Sequence, residues 1–282
     1  MKQLSVIILS FTNSSSIFEM TMHCLNSIAA SEPNIDYEVI IVESNENLEF
    51  QYPAEVKLIF PKEKFNFHRF LNIGIKAAKG NYLALCNNDL VFHQNWFTEM
   101  MNVKRLDSNI VSFSPAEEKD VRHANASYHV GYKVQKEVKG WCIVAERTLF
   151  DRIGLLDETF DFYYADNDYS MTLKKRNVKH ALVYNSKVDH LGKRSTSTII
   201  GSKGYLAKYN LPAYLRQTKY AWVLENEKAL NAFLKFHIKW GSPDMLYSRN
   251  ILADKLRNLG LGFLNRLVLH EVPVAFRKNL YK

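Results

Sequence analysis

Four apolar segments, each followed by polar residues, constrain the fold of this chain more than any other feature. They span residues 4–11 (LSVIILSF), 37–42 (YEVIIV), 56–60 (VKLIF) and 82–86 (YLALC). Nearly continuous apolar character is typical of strands that helices cover on both faces. Segments with apolar residues at helical spacing lie between them, so we expect βαβ units. The sequence therefore predicts an α/β protein with a mostly parallel sheet flanked by helices.

Polar residues directly follow three of these predicted strands: Thr12 and Asn13, then Glu43, Ser44 and Asn45, then Asn87, Asn88 and Asp89. In open α/β sheets ligands bind outside the carboxyl ends of the strands, so these side chains are candidates for a binding site. A plain turn is the alternative for the Asn-Asn-Asp ending, since these residues favour turns. No G-x-G-x-x-G or P-loop pattern is present, which removes the main support for dinucleotide-binding and P-loop proteins.

The cysteines and the first residues favour a cytoplasmic protein. Cys24, Cys86 and Cys142 are far apart and odd in number, which suggests neither a disulfide framework nor a zinc site. The opening MKQLSVIILSFTNSSS superficially resembles a signal peptide, but its apolar run is short, and we interpret it as a first strand. No segment approaches the roughly 20 apolar residues that span a bilayer.

The net charge of +8 lies entirely in the last third of the chain. Residues 201–282 carry 14 Lys and Arg against 5 Asp and Glu. The polar, glycine-containing stretch 193–204 precedes this region and marks the best boundary. We therefore expect a catalytic or binding domain over residues 1–200 and a basic, mainly helical region over 201–282.

The basic region has the pattern of an amphipathic helix. Its apolar residues approximate one helical face: Leu256, Leu259, Phe263 and Leu267. Its basic residues lie elsewhere around the helix: Lys255, Arg257 and Arg266. Four interpretations remain open: a helical cover over the first domain, peripheral contact of residues 250–282 with the inner face of a membrane, self-association into a homo-oligomer, or binding of DNA phosphates.

Four segments in order resemble the GT-A glycosyltransferases of the large inverting family 2. They are LSVIILSFTN (4–13), EVIIVESNEN (38–47), NIGIKAAKGNYLALCNND (72–89) and GWCIVAERTLFDRIGLLDETFDFYYADND (140–168), with His190 and KWG (239–241) further on. The resemblance implies a Rossmann-like GT-A domain with a C-terminal helical extension. Its donor-binding half would cover about residues 1–110 and its acceptor-side half about 111–200.

The resemblance also implies a metal site and a catalytic base. Asp89 and His190 would bind Mn²⁺ or Mg²⁺, which neutralises the departing diphosphate. Asp166 matches the base that takes the acceptor proton, with Asp168 in reserve, although both carboxylates could simply cap a helix. The chain departs from the family pattern where Asn87 replaces the first Asp of Asp-x-Asp, and where Ala165 replaces the Glu before Asp166.

The remaining expected site residues contact the two substrates. On the acceptor side they are Gly140 and Trp141, the latter able to stack on a sugar. On the donor side they are Phe11, Asn13, Glu43, Asn72, Asn87, Asn88, Lys193 and Arg194. Phe11 and Asn13 would flank the nucleobase, and Glu43 would bind the ribose or the edge of the nucleobase. Asn72 would help to position the nucleotide. Lys193 and Arg194 would close over the diphosphate. Core, cap, turn and solvated-loop roles remain the alternatives.

The resemblance implies a metal-dependent inverting glycosyltransferase. The expected donor is a UDP-sugar, with dTDP- and GDP-sugars as competitors, and the acceptor is a hydroxyl of a glycan or lipid-linked glycan in surface-glycan or polysaccharide synthesis. Two alternatives come from other classes: a nucleic-acid-modifying, viral glycosyltransferase, and a catalytically silent nucleotide-binding relative. A glycoside hydrolase would leave the polar endings of the first two strands unexplained.

Overall fold

The computed structural model describes residues 2–121, 126–192, 206, 209, 211–216 and 218–273. The strands are β1 (Leu4–Ser10), β2 (Tyr37–Glu43), β3 (Lys57–Ile59), β4 (Tyr82–Cys86), β5 (Leu90–Phe92), β6 (Ile110–Ala116), β7 (Tyr128–Val130), β8 (Cys142–Glu146) and β9 (Lys179–His190). The helices are α1 (Ser15–Ser31), α2 (Phe67–Ala77), α3 (Trp96–Leu106), α4 (Glu118–Val121), α5 (Arg147–Ile153), α6 (Ala165–Lys175), α7 (Glu227–Trp240), α8 (Pro243–Asn258) and α9 (Asn265–Val268). Segments of 3₁₀ helix occur at Ala213–Arg216, Thr218–Glu225 and Gly262–Leu264.

Within these residues nine strands form one sheet in the order β3-β2-β1-β4-β8-β6-β9-β5, with β7 paired to β9. The first four positions are parallel, as the apolar segments predict. In this register Ser10 lies beside Glu43, and Ile8 lies beside Cys86. The carboxyl ends of β1, β2 and β4 therefore meet at one edge of the sheet.

The other half of the sheet is mixed, which the sequence did not indicate. β8 runs antiparallel to both β4 and β6, and β6 runs parallel to β9. Antiparallel neighbours need no crossover helix, so the chain can enter β8 from the irregular stretch that follows β7. Cys86 lies opposite Cys142 across the β4–β8 pair, with the two Sγ atoms 3.7 Å apart, and both cysteines are free.

Both faces of β1 are buried, which explains its continuous apolar sequence. Val6 and Ile8 pack into the cluster that includes α1 and α3. Ile7 and Leu9 pack into the cluster on the opposite face, which includes residues of α2, α5 and α6. Because side chains alternate between the faces of a strand, a strand covered on both sides is apolar at most positions. The buried Ser5 is an exception, and its hydroxyl donates to Glu38 at 2.6 Å.

A buried lysine of α7 ties the C-terminal helices to α6. The Lys239 ammonium lies 2.7 Å from Asp168, 2.8 Å from Asp157 and 3.3 Å from Glu271. The next residue, Trp240, donates its indole N–H to Asp168 at 2.7 Å. Burial alone would lower the pKa of Lys239, but the three carboxylates outweigh it and raise that pKa above its ordinary value. The ammonium therefore stays charged at neutral pH and holds the first half of α6 in place.

The expected amphipathic helix through 256–267 is wrong, because α8 ends at Asn258. Gly260 adopts a φ of +75°, a left-handed conformation that favours glycine and stops the helix. A 3₁₀ turn and the short helix α9 follow. None of the described helices is long and apolar enough to cross a bilayer.

Replacing Lys239 by Met should lower the free energy of unfolding by about 3–5 kcal/mol, because it leaves buried carboxylate charge without its partner. Lys228→Met, at an exposed position of the same helix, should change that free energy by less than about 0.5 kcal/mol. Urea unfolding curves measure both. A Lys239→Met variant as stable as the Lys228→Met control would contradict this role of the lysine.

Candidate functional site

The expected strand-end residues gather at the edge where β1, β2 and β4 finish. Glu43, the last residue of β2, is fully buried. Its Oε1 accepts the backbone N–H of Thr12 at 3.0 Å and that of Asn45 at 2.8 Å, so one carboxylate oxygen joins the two loops. Its Oε2 is buried and accepts no hydrogen bond from any residue that the structure describes. Since a buried acceptor without a partner is costly, this oxygen is a candidate ligand contact.

A second set of hydrogen bonds fixes the loop after β1. The Thr12 hydroxyl lies 2.7 Å from the hydroxyl of Tyr52 and 2.9 Å from that of Ser10. Asn88 donates to the hydroxyl of Thr21 at 3.0 Å and to that of Ser10 at 3.4 Å. The amide of Asn88 thus ties the end of β4 to α1 and β1.

Phe11 and Asn13 lie on the open side of this loop. Phe11 is 55% exposed, which excludes the core role that was its alternative. Asn13 is also exposed, and its backbone N–H donates to the carbonyl of Phe11 at 3.1 Å. An exposed ring beside the buried Glu43 carboxylate is a suitable platform for a planar base.

Asp89 and His190 face each other, as the resemblance implied. β5 and β9 pair with Leu90 opposite His190, which places the imidazole beside the preceding carboxylate. His190 Nε2 lies 3.4 Å from Asp89 Oδ1, and that oxygen is buried without a hydrogen-bond partner among the described residues. The backbone of Asp89 is held separately, because its carbonyl accepts the N–H of Leu191 at 3.0 Å.

The Asp89–His190 pair fits a divalent cation. Two ligand atoms bound to one ion at about 2.1 Å lie roughly 3 Å apart when they are at right angles, close to the separation found here. Carboxylate oxygen and imidazole nitrogen are both accepted by Mn²⁺. No group of three or more His, Cys, Asp or Glu side chains arranged to hold a metal occurs in the described part of the chain. The protein would therefore supply two ligands of this type, leaving positions for a diphosphate and water.

The dipeptide Gly140-Trp141 connects this pair to the candidate base. The Trp141 ring stacks on His190, with centroids 5.3 Å apart and planes inclined by 17°. A Cβ on Gly140 would lie only 2.7 Å from Asp166 Cβ and 2.9 Å from its Oδ2, so this position requires glycine. The Trp141 carbonyl also accepts the N–H of Asn87 at 2.9 Å. Consecutive Cα atoms are about 3.8 Å apart, so Asp166 lies against the neighbour of the residue that stacks on His190.

Asp166 lies in the first turn of α6 and lines a cavity of about 20 Å³, which is large enough for one water molecule. Burial raises the pKa of its carboxyl above the ordinary value, even though the backbone N–H of Asn167 donates to its Oδ1 at 2.9 Å. A raised pKa makes a carboxylate a stronger proton acceptor while it is ionised. Burial, a raised pKa and an adjacent water-sized cavity are compatible with the role of a base, which stays a prediction.

Asp168 does not fit its reserve role, and this is a correction. It is only 2% exposed, and its Oδ1 receives both Lys239 and the Trp240 indole. Its task is to anchor α6. Ala165, which stands where the family has Glu, is buried in a cluster with Phe160 and Trp240.

Asn72 also has a different task from the one expected. Its amide donates to the Leu156 carbonyl at 2.9 Å and to Glu158 at 3.1 Å, and its oxygen accepts the Leu156 N–H at 3.0 Å. This pairing fixes α2 to the segment before α6 and leaves little of the side chain for a nucleotide. Lys193 and Arg194 lie outside the described residues.

Two contributors were missed in the sequence: Tyr52 and Lys239. Thr12 stands in a strand ending that the sequence had already indicated. Tyr52 and Lys239 reach their partners across 40 and 71 residues of sequence, respectively, and no local pattern reports such contacts. The KWG segment was noted, but nothing in it indicated Asp168.

The architecture is similar to the crystal structure of GalNAc-T7 with UDP, GalNAc and Mn²⁺. The TM-score is 0.61 at 15% sequence identity, over 99% of this chain and 55% of that one. At this identity the likeness shows a shared fold. Over 120 residues the chain is also 28% identical to chondroitin synthase of Escherichia coli, which covers 40% of this chain and 17% of that protein. The chain thus spans only part of the length of both relatives.

The family follows from a longer match. Residues 5–158 match the family described as "Glycosyl transferase family 2". That interval is more than half of the 282 residues, and it contains every strand ending described above as well as Gly140 and Trp141. The chain has the GT-A fold, and it belongs to glycosyl transferase family 2.

Proposed function

We propose that this glycosyltransferase is metal-dependent and inverting, and that it moves a sugar from a nucleotide-sugar to a hydroxyl group. The observation that carries the proposal is the Gly140-Trp141 dipeptide, which contacts Asp166 on one side and His190 on the other. A base and a leaving-group site on opposite sides of one short segment suit attack on the sugar from the face opposite the diphosphate.

Asp89 and His190 would hold the divalent cation, Mn²⁺ or Mg²⁺, and the bound ion would neutralise charge that grows on the departing diphosphate. Trp141 holds the His190 ring through stacking. Asn87, whose backbone is bound to Trp141, is placed to offer its amide to the donor. The amide also removes one negative charge from the edge that must accept a diphosphate.

The nucleoside would lie over the ends of β1 and β2. Phe11 supplies an exposed ring, and Glu43 Oε2 is the buried acceptor that lacks a partner within the described chain. A ribose hydroxyl or a base N–H would satisfy that oxygen. We favour UDP-sugars, with dTDP- and GDP-sugars as alternatives. UDP and Mn²⁺ in the GalNAc-T7 structure support this choice by analogy of fold alone.

Asp166 would take the proton from the acceptor hydroxyl as that oxygen attacks. The water-sized cavity beside the carboxylate and the glycine against it leave the acceptor side free of a blocking side chain. We propose that the acceptor is a glycan or a lipid-linked glycan and that the product is a surface glycan or polysaccharide. The match to chondroitin synthase is compatible with polysaccharide synthesis but covers little of that protein.

We further propose that residues 1–200 form the catalytic unit and that the reaction takes place in the cytoplasm. Cys86 and Cys142 remain free although their sulfur atoms are 3.7 Å apart, which is compatible with a reducing compartment. The ion pairs of Lys239 indicate that α7 supports the catalytic unit from outside it.

Thermal unfolding with UDP, GDP, dTDP and CMP, each with and without Mn²⁺, tests the donor and metal sites. One nucleotide with Mn²⁺ at a hundred times its Kd should stabilise the protein by about 2.7 kcal/mol. Asp89→Ala should abolish the metal-dependent part of the shift. Asp189→Ala is the control, because this partly exposed carboxylate is next to His190 on β9 but pairs with His93 instead. If the two variants respond alike, Asp89 is not a metal ligand.

Asp166→Asn should lower kcat by about 10²–10⁴-fold while the nucleotide-induced thermal shift is retained, because only proton transfer is lost. Asp161→Asn, at an exposed position before α6, should keep its activity. Sugar transfer to a hydroxyl acceptor or, failing one, hydrolysis of the donor gives the readout. Wild-type turnover in Asp166→Asn would overturn the assignment.

The pH profile provides a separate check on the base. Asp166 must be ionised to accept a proton, so kcat/KM should fall as the pH decreases through its pKa. Because burial raises that pKa, the acid limb should lie above the ordinary aspartate value of about 3.9. An acid limb at or below the ordinary value would contradict the buried carboxylate as base.

A further inference from the structure

The outer surface of the C-terminal helices is unusually apolar. Large exposed side chains concentrate here: Met245, Tyr247, Ile251, Leu252, Leu259, Leu261, Phe263 and Leu267. Leu259 is 73% exposed and Leu267 is 66% exposed. A helix on the surface of a globular protein normally places polar residues outward, so this arrangement is reversed. We call these eight residues the apolar surface.

The inner face of α8 is already occupied and accounts for its attachment. Leu246 and Ala253 are buried in the cluster with Trp240. Asn250 and Asp254 both bind the Lys174 ammonium of α6, at 2.8 and 3.0 Å. At 100° per residue, Ile251 and Leu252 lie on the outer side of α8, away from Leu246 and Ala253. The apolar surface is therefore not needed to hold α8 on the protein.

Near the apolar surface the carboxylates are paired, whereas two basic side chains have no ion-pair partner within the described chain. The nearby carboxylates are paired: Asp254 binds Lys174, and Asp244 lies 3.9 Å from Lys219. Lys255 and Arg266 are exposed and make no ion pair with any residue in the described ranges.

We propose that the apolar surface and the cations beside it dock the protein onto a bilayer that carries anionic headgroups. Side chains such as Phe263 and Leu267 would insert at the boundary between headgroups and acyl chains, while Lys255 and Arg266 contact the headgroups. A second copy of the chain fits less well, because two such surfaces would bring like charges together. The docking surface does not rest on the assignment of donor, metal or base.

Co-sedimentation with vesicles of phosphatidylethanolamine and phosphatidylglycerol tests the proposal with the full chain. The protein should bind these vesicles and bind vesicles of phosphatidylcholine much more weakly. Salt should weaken the binding, since screening shortens the reach of charge to about 10 Å at 0.1 M. Absence of binding to the anionic vesicles would overturn the proposal.

Two pairs of matched variants separate the contributions. The double variant Phe263→Ser and Leu267→Ser should reduce partitioning by about tenfold or more, because it removes the apolar insertion. Leu106→Ser, at a 71% exposed position on α3, should leave partitioning unchanged. The double variant Lys255→Glu and Arg266→Glu should abolish the preference for anionic lipid, whereas Lys76→Glu with Arg105→Glu should retain most of it.

Three results would overturn the membrane assignment. The first is an equal loss of vesicle binding in Leu106→Ser. The second is a dimer by light scattering that the Phe263→Ser, Leu267→Ser variant converts to a monomer, which would identify a second copy as the partner. The third is salt-sensitive binding to duplex DNA that exceeds vesicle binding and is lost with Lys255→Glu and Arg266→Glu. The far-UV circular dichroism spectrum and the midpoint of thermal unfolding should match those of the wild type in all of these variants, which shows that they are folded.

Discussion

The pairing of β1 with β2 on one side and β4 on the other determines where the polar strand endings at Thr12, Glu43 and Asn88 lie. Ser10 stands beside Glu43, and Ile8 stands beside Cys86. A slip of one residue would turn each strand's side chains to the opposite face, which would place Ile7 and Ile8 in the wrong cores and move the strand endings out of line. Because both faces of β1 are packed, such a slip would disturb two hydrophobic clusters at once. The core therefore fixes the geometry of the site.

The acceptor side depends on a different kind of support. Asp166 lies at the start of α6, and two residues later Asp168 takes Lys239 and Trp240. A buried ion pair contributes little net free energy to folding. Removing one partner is strongly destabilising, because it leaves a buried charge unpaired, and the pair is favourable only in a well-defined geometry. Here the pair positions the helix that carries Asp166, the proposed base, from a helix more than sixty residues further along the chain. The C-terminal region is thus part of what makes the site.

The sequence predicted those parts of the molecule that local patterns report. Apolar runs located β1, β2 and β4, and polar endings located Glu43 and Asp89. Family resemblance, not spacing, brought in His190 and Asp166. What failed involves long-range contacts: Asn72 satisfies Leu156 and Glu158, and Asp168 satisfies Lys239. Contacts between residues far apart in the sequence produce no periodic pattern in it. The antiparallel β8 also escaped, since a short buried strand has the same composition in either direction.

The change of direction at β8 has a consequence for how specificity can vary. Donor-side groups lie where parallel strands leave the sheet, whereas Gly140 and Trp141 lie where an antiparallel strand enters it. The start of β8 and the carboxyl ends of β1, β2 and β4 lie at the same edge of the sheet, but they belong to separate segments of the chain. The irregular stretch before β8 can be rebuilt without altering the pairing of β1, β2 and β4. In a protein arranged this way, the specificity for one reactant can change while the binding site of the second reactant stays unchanged.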